Sequence, residues 1–286
     1  ITAISTREED FVEQLFVTST HSYILFFSDK GKVYRIKAHE VPEVGRTARG
    51  TAIVNLIQLP RDERIRTAIP IREYDDGHYL FMATKRGTVK KTVLSEFDSP
   101  RHGLIGILLD EDDELVDVRL TEGNEHVLLV TAYGQAIRFP EEDVRPMGRA
   151  ARGVRGITLE EGDWVVGLDV VRPGADLLVI SQKGFGKRTP LDEYRVTGRG
   201  GKGIRTLQIT EKNGPIVAVR VVRDGDEVML ISEKGIMIRM TVEEISRQGR
   251  ATQGVRVMRL DEGDQAVAAA LIAEKDEDKA EQGQLL

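Results

Sequence analysis

The sequence of 286 residues contains no cysteine, which excludes disulfides, thiolate zinc sites and cysteine nucleophiles. It has only five histidines (His21, His39, His78, His102, His126), and no two stand at helical metal-ligand spacing. Metal catalysis has no donor set on which to build. No apolar run approaches the roughly 18 residues that a membrane-spanning helix needs, and Ile1 to Asp10 is unlike a signal peptide. The composition, 40% hydrophobic and 31% charged, predicts a soluble, cytoplasmic globular chain able to bury a sizeable core. An excess of basic charge is also missing: 41 basic against 47 acidic residues leaves −6, the wrong sign for a simple nucleic-acid binder. Any basic surface must therefore come from how charge is distributed.

What the sequence does contain is one unit written five times. The units open with LFFSDKG, FMATKRG, LLVTAYG, LVISQKG and MLISEKG, whose turn glycines are Gly31, Gly87, Gly134, Gly184 and Gly235. Four positions after each glycine stands a basic residue: Arg35, Lys91, Arg138, Arg188 or Arg239. A short acidic segment follows, such as PEEDV or TVEEI, where Thr241 and Glu244 have capping-box spacing and predict one helical turn. Next comes a basic loop reading GRTARG, GRAARG, GRGGKG or GRATQG, degenerate as DSPRHG in the shortened second unit, ending at Gly50, Gly103, Gly153, Gly203 or Gly254.

Strand counting in the third unit gives Val127 to Thr131, Gln135 to Phe139, Gly153 to Leu159 and Val165 to Val171. Four strands at a period near fifty read as propeller-type blades, each burying its faces against its neighbours. The segment ITAISTREEDFVEQLFVTST aligns with the back half of a unit, as in GITLEEGDWVVGLDVV. The expectation is an all-β, six-bladed fold over residues 1–273. It would comprise a partial blade at 1–20, repeats near 21–76, 77–123, 124–173, 174–224 and 225–273, then a flexible acidic tail at 274–286.

Several motifs carry little chemistry. Gly198, Gly200 and Gly203 satisfy GxGxxG, but the strand-like IRTLQIT follows where a dinucleotide site needs a helix, and Lys202 precedes glycine where a Walker A loop needs Ser or Thr. The carboxylates from Asp110 to Glu114 and Glu160 to Asp163 recur at one position of successive units, which identifies solvated turns. Trp164 reads as a core or blade-interface residue. The sequence offers no Ser, His and Asp set that stands out as a triad, so no catalytic residue is assigned.

The basic series is different, because its members recur in phase and flank glycines that let a backbone approach phosphate. The predicted DNA-binding residues are Lys32, Arg35, Arg46, Arg49, Lys90, Lys91, Arg101, Arg138, Arg149, Arg152, Arg188, Arg199, Lys202, Arg239 and Arg250. Bases would occupy one rim while acids occupy turns and tail, reconciling a net −6 with DNA.

The segments EEDFVEQL, STHSYILFFSDKGKVYRIKAHEVPEVGRTARGTAIVNL, RFPEEDVRPMGRAARGVRGITL and GKRTPLDEYRVTGRGGKG resemble the C-terminal domain of the DNA gyrase A protein, and the resemblance spans essentially the whole chain. It implies a six-bladed β-pinwheel, propeller-like with strands exchanged between blades, whose basic rim wraps double-stranded DNA. It further implies an isomerase context in the bacterial nucleoid. There a non-catalytic domain works beside the gyrase A amino-terminal core and the gyrase B protein in an A2B2 assembly. ATP and Mg2+ would bind elsewhere and no cofactor here, with the isolated domain monomeric. The family's glutamine-containing box would stand before Ile1. Its nearest copy, Thr197, Gly198, Arg199, Gly200, Gly201, Lys202 and Gly203, keeps five positions and lacks the glutamine and first basic residue. Alternatives are a topoisomerase IV-type domain, a propeller scaffold for protein partners, or a propeller enzyme with a central-channel site.

Overall fold

A hairpin is the seed of every unit. In the third, the apolar strand His126–Thr131 turns through Ala132, Tyr133 and Gly134 and returns as Gln135–Pro140. The computed structural model describes residues 18–44 and 49–272, and in them the hairpin occurs five times. The first strand of each hairpin is flanked on its other side by an antiparallel inner strand from the end of the same unit: Ile65–Ile71, Leu115–Thr121, Val165–Val170, Ile216–Val222 and Ala266–Ile272. Each inner strand carries the same register shift at its start, a bulge that adds twist. Successive inner strands pack against one another, so the core runs from blade to blade.

The fourth strand of each complete sheet comes from the following unit. Leu104–Ile105, Val154–Arg155, Ile204–Arg205 and Val255–Arg256 cross back to pair with the second hairpin strand of the preceding blade. The segment expected as a long strand from Gly153 to Leu159 is thus a two-residue strand at the outer edge of its neighbour's sheet. Beyond Arg155, the N–H groups of Gly156 and Ile157 both go to the carbonyl of Gly87, at 2.8 and 3.3 Å, which ends the ladder.

The turn glycines show why this exchange needs glycine. Gly134 has φ +91°, and a Cβ there would overlap the carbonyl oxygen of Leu207 in the incoming segment. The second glycine of the unit meets the same constraint from the other side: Gly203, at φ +77°, would drive a Cβ into the carbonyl oxygen of Ala136.

The predicted helical turn is present as a single 3-10 turn, Ala38–Glu40, Leu94–Phe97, Glu141–Asp143, Leu191–Glu193 and Val242–Glu244. The Thr241 and Glu244 box forms, with the Thr241 N–H donating to Glu244 Oε2 at 2.7 Å. The acidic turns act on the backbone: Asp163 Oδ1 accepts the N–H groups of Tyr133 and Trp164, and Asp113 Oδ1 those of Arg86 and Glu114. Trp164 packs against Tyr133 with ring centroids 5.8 Å apart.

Blade number departs from expectation. The described residues form four four-stranded sheets and one three-stranded sheet, five blades where six were expected. Residues 1–17 of the partial blade expected at 1–20 lie outside the described residues, as does the tail at 274–286. The fifth sheet holds Glu227–Ser232, Met237–Thr241 and Ala266–Ile272, with no crossing strand among the described residues.

A charged cluster joins the inner strands of the second, third and fourth blades. Arg119 bridges Asp117 at 2.6 Å and Asp169 at 3.2 Å, and Asp169 Oδ2 accepts the Val221 N–H at 2.8 Å. Burial raises the Asp117 pKa against the pull of Arg119. Gly134→Ala is expected to cost about 2 kcal/mol or more, whereas Gly198→Ala, where nothing lies within 4 Å of a new Cβ, should stay within about 0.5 kcal/mol. Urea unfolding midpoints of the two variants check the contrast.

Candidate nucleic-acid interface

In the first four hairpins the basic residue four positions after the turn glycine is a latch between blades. Lys91 Nζ donates to the Glu141 carbonyl at 3.1 Å, Arg138 Nη1 to the Leu191 carbonyl at 3.1 Å, and Arg188 Nε to the Ile245 carbonyl at 2.8 Å. All three carbonyls belong to the short turn of the following unit or the residue just after it, and those of Glu141 and Leu191 also accept the turn's closing N–H from Val144 and Tyr194. Arg35 reaches Asp98 of the next unit at 3.3 Å and lies 4.9 Å from the Tyr23 ring centre. Arg239, in the fifth blade, pairs within its own sheet with Glu227. This phase therefore follows blade contacts.

Lys90 and Lys91 were expected on the rim, and the structure buries both. Lys90 is 0% exposed and Lys91 4%. Strand alternation places them on opposite faces, yet both faces of this strand are covered by neighbouring blades. Lys91 sits 3.7 Å from Glu141, itself fully buried, and 4.9 Å from the Tyr79 ring centre. Burial pushes the Lys90 amine down to about 8, with Glu96 opposing and Arg149 adding to the shift. Lys187, its counterpart two blades on, is also pushed down to about 8 by burial.

The loop arginines serve two purposes. Arg149, Arg199 and Arg250 each donate from Nη1 to the carbonyl of a crossing strand, at Ile105, Arg155 and Arg205, over 3.3, 3.0 and 3.1 Å. The acceptors lie on edge strands, whose outward backbone groups need partners. Arg149 and Arg199 also donate their backbone N–H groups to Glu96 and Asp143 of the preceding unit's short turn. Arg199 is exposed, while Arg149 and Arg250 are half-buried. Arg152 is exposed and paired with Asp110. Arg49 and Arg101 are exposed, Lys32 is half-buried, and Arg46 lies outside the described residues.

The loop from Thr197 to Gly203 overlies the second hairpin strand of the third blade. The Thr197 N–H donates to the Arg138 carbonyl at 2.9 Å, and the Gly200 N–H, at φ +89°, donates to Gly156 at 2.7 Å. Thr158 takes up the loop carbonyls, its N–H binding Gly201 at 2.9 Å and its hydroxyl Gly200 at 2.6 Å. Between loop and strand lies a cleft of about 270 Å³ lined by Arg138, Arg195 and Lys202. Three cations around an open cleft suit an anionic oxygen.

Sequence reasoning missed Arg155, Arg205 and Arg256. They occupy the second position of each crossing strand and are exposed at the outer edge of the second, third and fourth sheets. The signal was available, since each stands two residues after the second glycine, but that position read as part of a strand. Among the described residues no group of three or more His, Cys, Asp or Glu is placed to hold a metal ion, and no helix is long and apolar enough to cross a membrane.

A propeller-like all-β fold of small antiparallel sheets, with arginines exposed on its outer edge strands, is therefore the class that fold and surface define. Residues 22–72, 78–122, 125–172, 175–223 and 226–273 match the family described as DNA gyrase C-terminal domain, beta-propeller, and the chain belongs to that family. It is 58% identical over 279 residues to the DNA gyrase A protein of Halalkalibacterium halodurans, covering 97% of this chain and 34% of that protein. It is 49% identical over 282 residues to that of Clostridium acetobutylicum, covering 98% of this chain and again 34% of the relative. The chain thus spans about a third of the length of these curated relatives. Among solved structures it resembles a DNA gyrase A C-terminal domain (TM-score 0.80, 29% identity, 90% of this chain and 84% of that one). It also resembles a DNA topoisomerase IV C-terminal domain (TM-score 0.81, 32% identity, 88% and 80%).

Separating latch from rim yields a direct test. Lys91→Met leaves Glu141 buried without its cation and should destabilise by about 3 kcal/mol, while the salt dependence of DNA binding stays unchanged. Lys202→Ala should do the reverse: a stability change within about 0.5 kcal/mol and a binding slope reduced by about 1. Denaturant titration and binding at a series of salt concentrations check the pair.

Proposed function

We propose that this chain is a non-catalytic DNA-binding domain that bends and wraps duplex DNA around its basic outer edge, so that a gyrase-type topoisomerase can introduce negative supercoils. The observation that carries the reading is the recurrence of exposed arginines on the crossing strands, Arg155, Arg205 and Arg256, beside the loop cations Arg152, Arg199 and Lys202. One blade offers only a few phosphate contacts. Successive blades offer the same contacts again at an angle set by the packing of the inner strands, so a duplex that satisfies several must curve. Bending a short duplex through a large angle costs on the order of 1 to 10 kcal/mol, which several phosphate contacts together exceed.

Contacts of this kind read the backbone, so sequence preference should be weak. The net charge of −6 is compatible, because carboxylates such as Asp113 and Asp163 are spent on backbone N–H groups in the turns. By family membership the covalent partner is the gyrase A amino-terminal core, with the gyrase B protein completing an A2B2 enzyme in the bacterial cytoplasm. The chemistry of strand passage, with its ATP and Mg2+, belongs to those parts. The topoisomerase IV likeness keeps a second reading open to test, in which the same edge binds DNA without completing a wrap.

DNA affinity should fall with salt with a log–log slope of about −5 to −9, for roughly 5 to 10 neutralised phosphates. Replacing Arg155, Arg205 and Arg256 by alanine together should reduce that slope by about 3 without lowering the unfolding midpoint. Titration of one duplex length at several salt concentrations measures both, and a slope near zero in the unsubstituted chain would refute the reading.

A further inference from the structure

Lys90 and Lys187 occupy equivalent positions three residues after their turn glycines, and both are fully buried. A buried ammonium is costly unless acceptors converge on it. Here they do. Lys90 Nζ donates to the carbonyl oxygens of Gly148 at 2.9 Å and Arg149 at 2.6 Å, and to that of Gly106 in the crossing segment. Lys187 Nζ donates to Gly249 at 2.6 Å, Arg250 at 2.8 Å and the Thr252 hydroxyl at 3.0 Å. In each case the loop so held belongs to the next unit and carries the GRAARG or GRATQG motif. The other blades place Tyr34, Ile137 or Ile238 at this position; beneath the Thr197–Gly203 loop, where it is Ile137, Thr158 binds the later carbonyls of Gly200 and Gly201, not those of Gly198 and Arg199 that correspond to the lysine-held pair.

We propose that Lys90 and Lys187 are positioning residues of the outer edge, which draw the carbonyls of the basic loops inward so that Arg149, Arg152 and Arg250 face a duplex. This rests on the DNA-binding reading above. A loop carbonyl left free would turn its negative end toward solvent, where a phosphate approaches, and the adjoining arginines would lose their fixed geometry. The ammonium supplies three donors to three acceptors; methionine, which fills the same volume, supplies none. The charged groups facing Lys90 are Glu96 and Arg149, and those facing Lys187 are Glu193 and Arg250. Glu96 joins the clamp by accepting the Arg149 N–H at 3.1 Å, so the loop at 148–153 is gripped both by Lys90 and by the preceding short turn.

The test uses the chain with Lys90→Met and Lys187→Met. In the free protein, amide hydrogen exchange across residues 148–152 in the first variant and 249–252 in the second should rise about tenfold or more, with the strands Thr88–Val93 and Phe185–Pro190 unchanged. DNA affinity should fall roughly fivefold in each. In a background already carrying Arg149→Ala and Arg152→Ala, Lys90→Met should cost no further affinity, because it acts through those side chains. Unchanged loop exchange, or a full additive loss in that background, would overturn the proposal. Since exchange is read without DNA, it distinguishes failure of the loop clamp from failure of the DNA-binding reading, which a flat salt response of the unsubstituted chain would expose. If the methionine variants do not fold, Lys187→Cys can be used, because the natural sequence has no cysteine. Alkylation in the unfolded state with 2-bromoethylamine, the thiolate sulfur displacing bromide, rebuilds an ammonium at that position. Refolding should then restore both loop protection and affinity, and recovery equal to that obtained with a neutral alkylating group would overturn the role of the charge.

Discussion

The fold depends on one hand-over between neighbours: two successive N–H groups of a crossing segment both reach the carbonyl of the preceding blade's turn glycine. Gly106 and Ile107 go to Gly31, Gly156 and Ile157 to Gly87, Thr206 and Leu207 to Gly134, and Val257 and Met258 to Gly184. The approach is close enough that a side chain on the turn residue would collide with the incoming backbone. Glycine is required there twice over, for positive φ and for space. A blade made of a hairpin and an inner strand would expose an open edge. The crossing strand covers that edge and commits each unit to its neighbour.

From this exchange the placement of charge follows. The crossing strand is too short to bury both its residues, so its second position faces outward and carries Arg155, Arg205 or Arg256. The loop that leads into it must lie against the preceding blade, which brings its carbonyls over the second hairpin strand. Where that strand offers Lys90 or Lys187, the first carbonyls of the loop are bound from beneath; where it offers Ile137 they have no ammonium, and Thr158 holds only the later carbonyls of Gly200 and Gly201. Basic residues thus fall into three populations with different work. Latches such as Lys91, Arg138 and Arg188 hold blades together, clamps hold loops, and only the exposed remainder is free to meet phosphate.

These populations explain which site residues were legible beforehand. A repeat is visible in one dimension, so the period, the turn glycines and the in-phase cations could be read directly. Their meaning could not, because a basic residue recurring with the blades is equally consistent with a rim contact and a blade contact. Lys90 illustrates the difficulty. Its neighbours Val89 and Lys91 are also buried, so period-two alternation, which would have exposed one face of the strand, does not hold between stacked sheets.

The sequence by itself determined the all-β repeat, the hairpin in each unit, the acidic turns, the single capped helical turn and, through its motifs, the family. These are local properties, set by turn chemistry and periodicity within about fifty residues. Tertiary structure alone decided which strand of a unit is handed to another blade's sheet and how short it is, that five sheets are formed by the described residues, and which cations face solvent. It also revealed the Asp117, Arg119 and Asp169 cluster, in which Arg119 and Asp169 stand 50 residues apart and meet only because inner strands of adjacent blades pack together. The physical reason is common to all of these. Burial and pairing are properties of a neighbour's surface, and in a series of similar blades much of a residue's environment is written in a different repeat from its own.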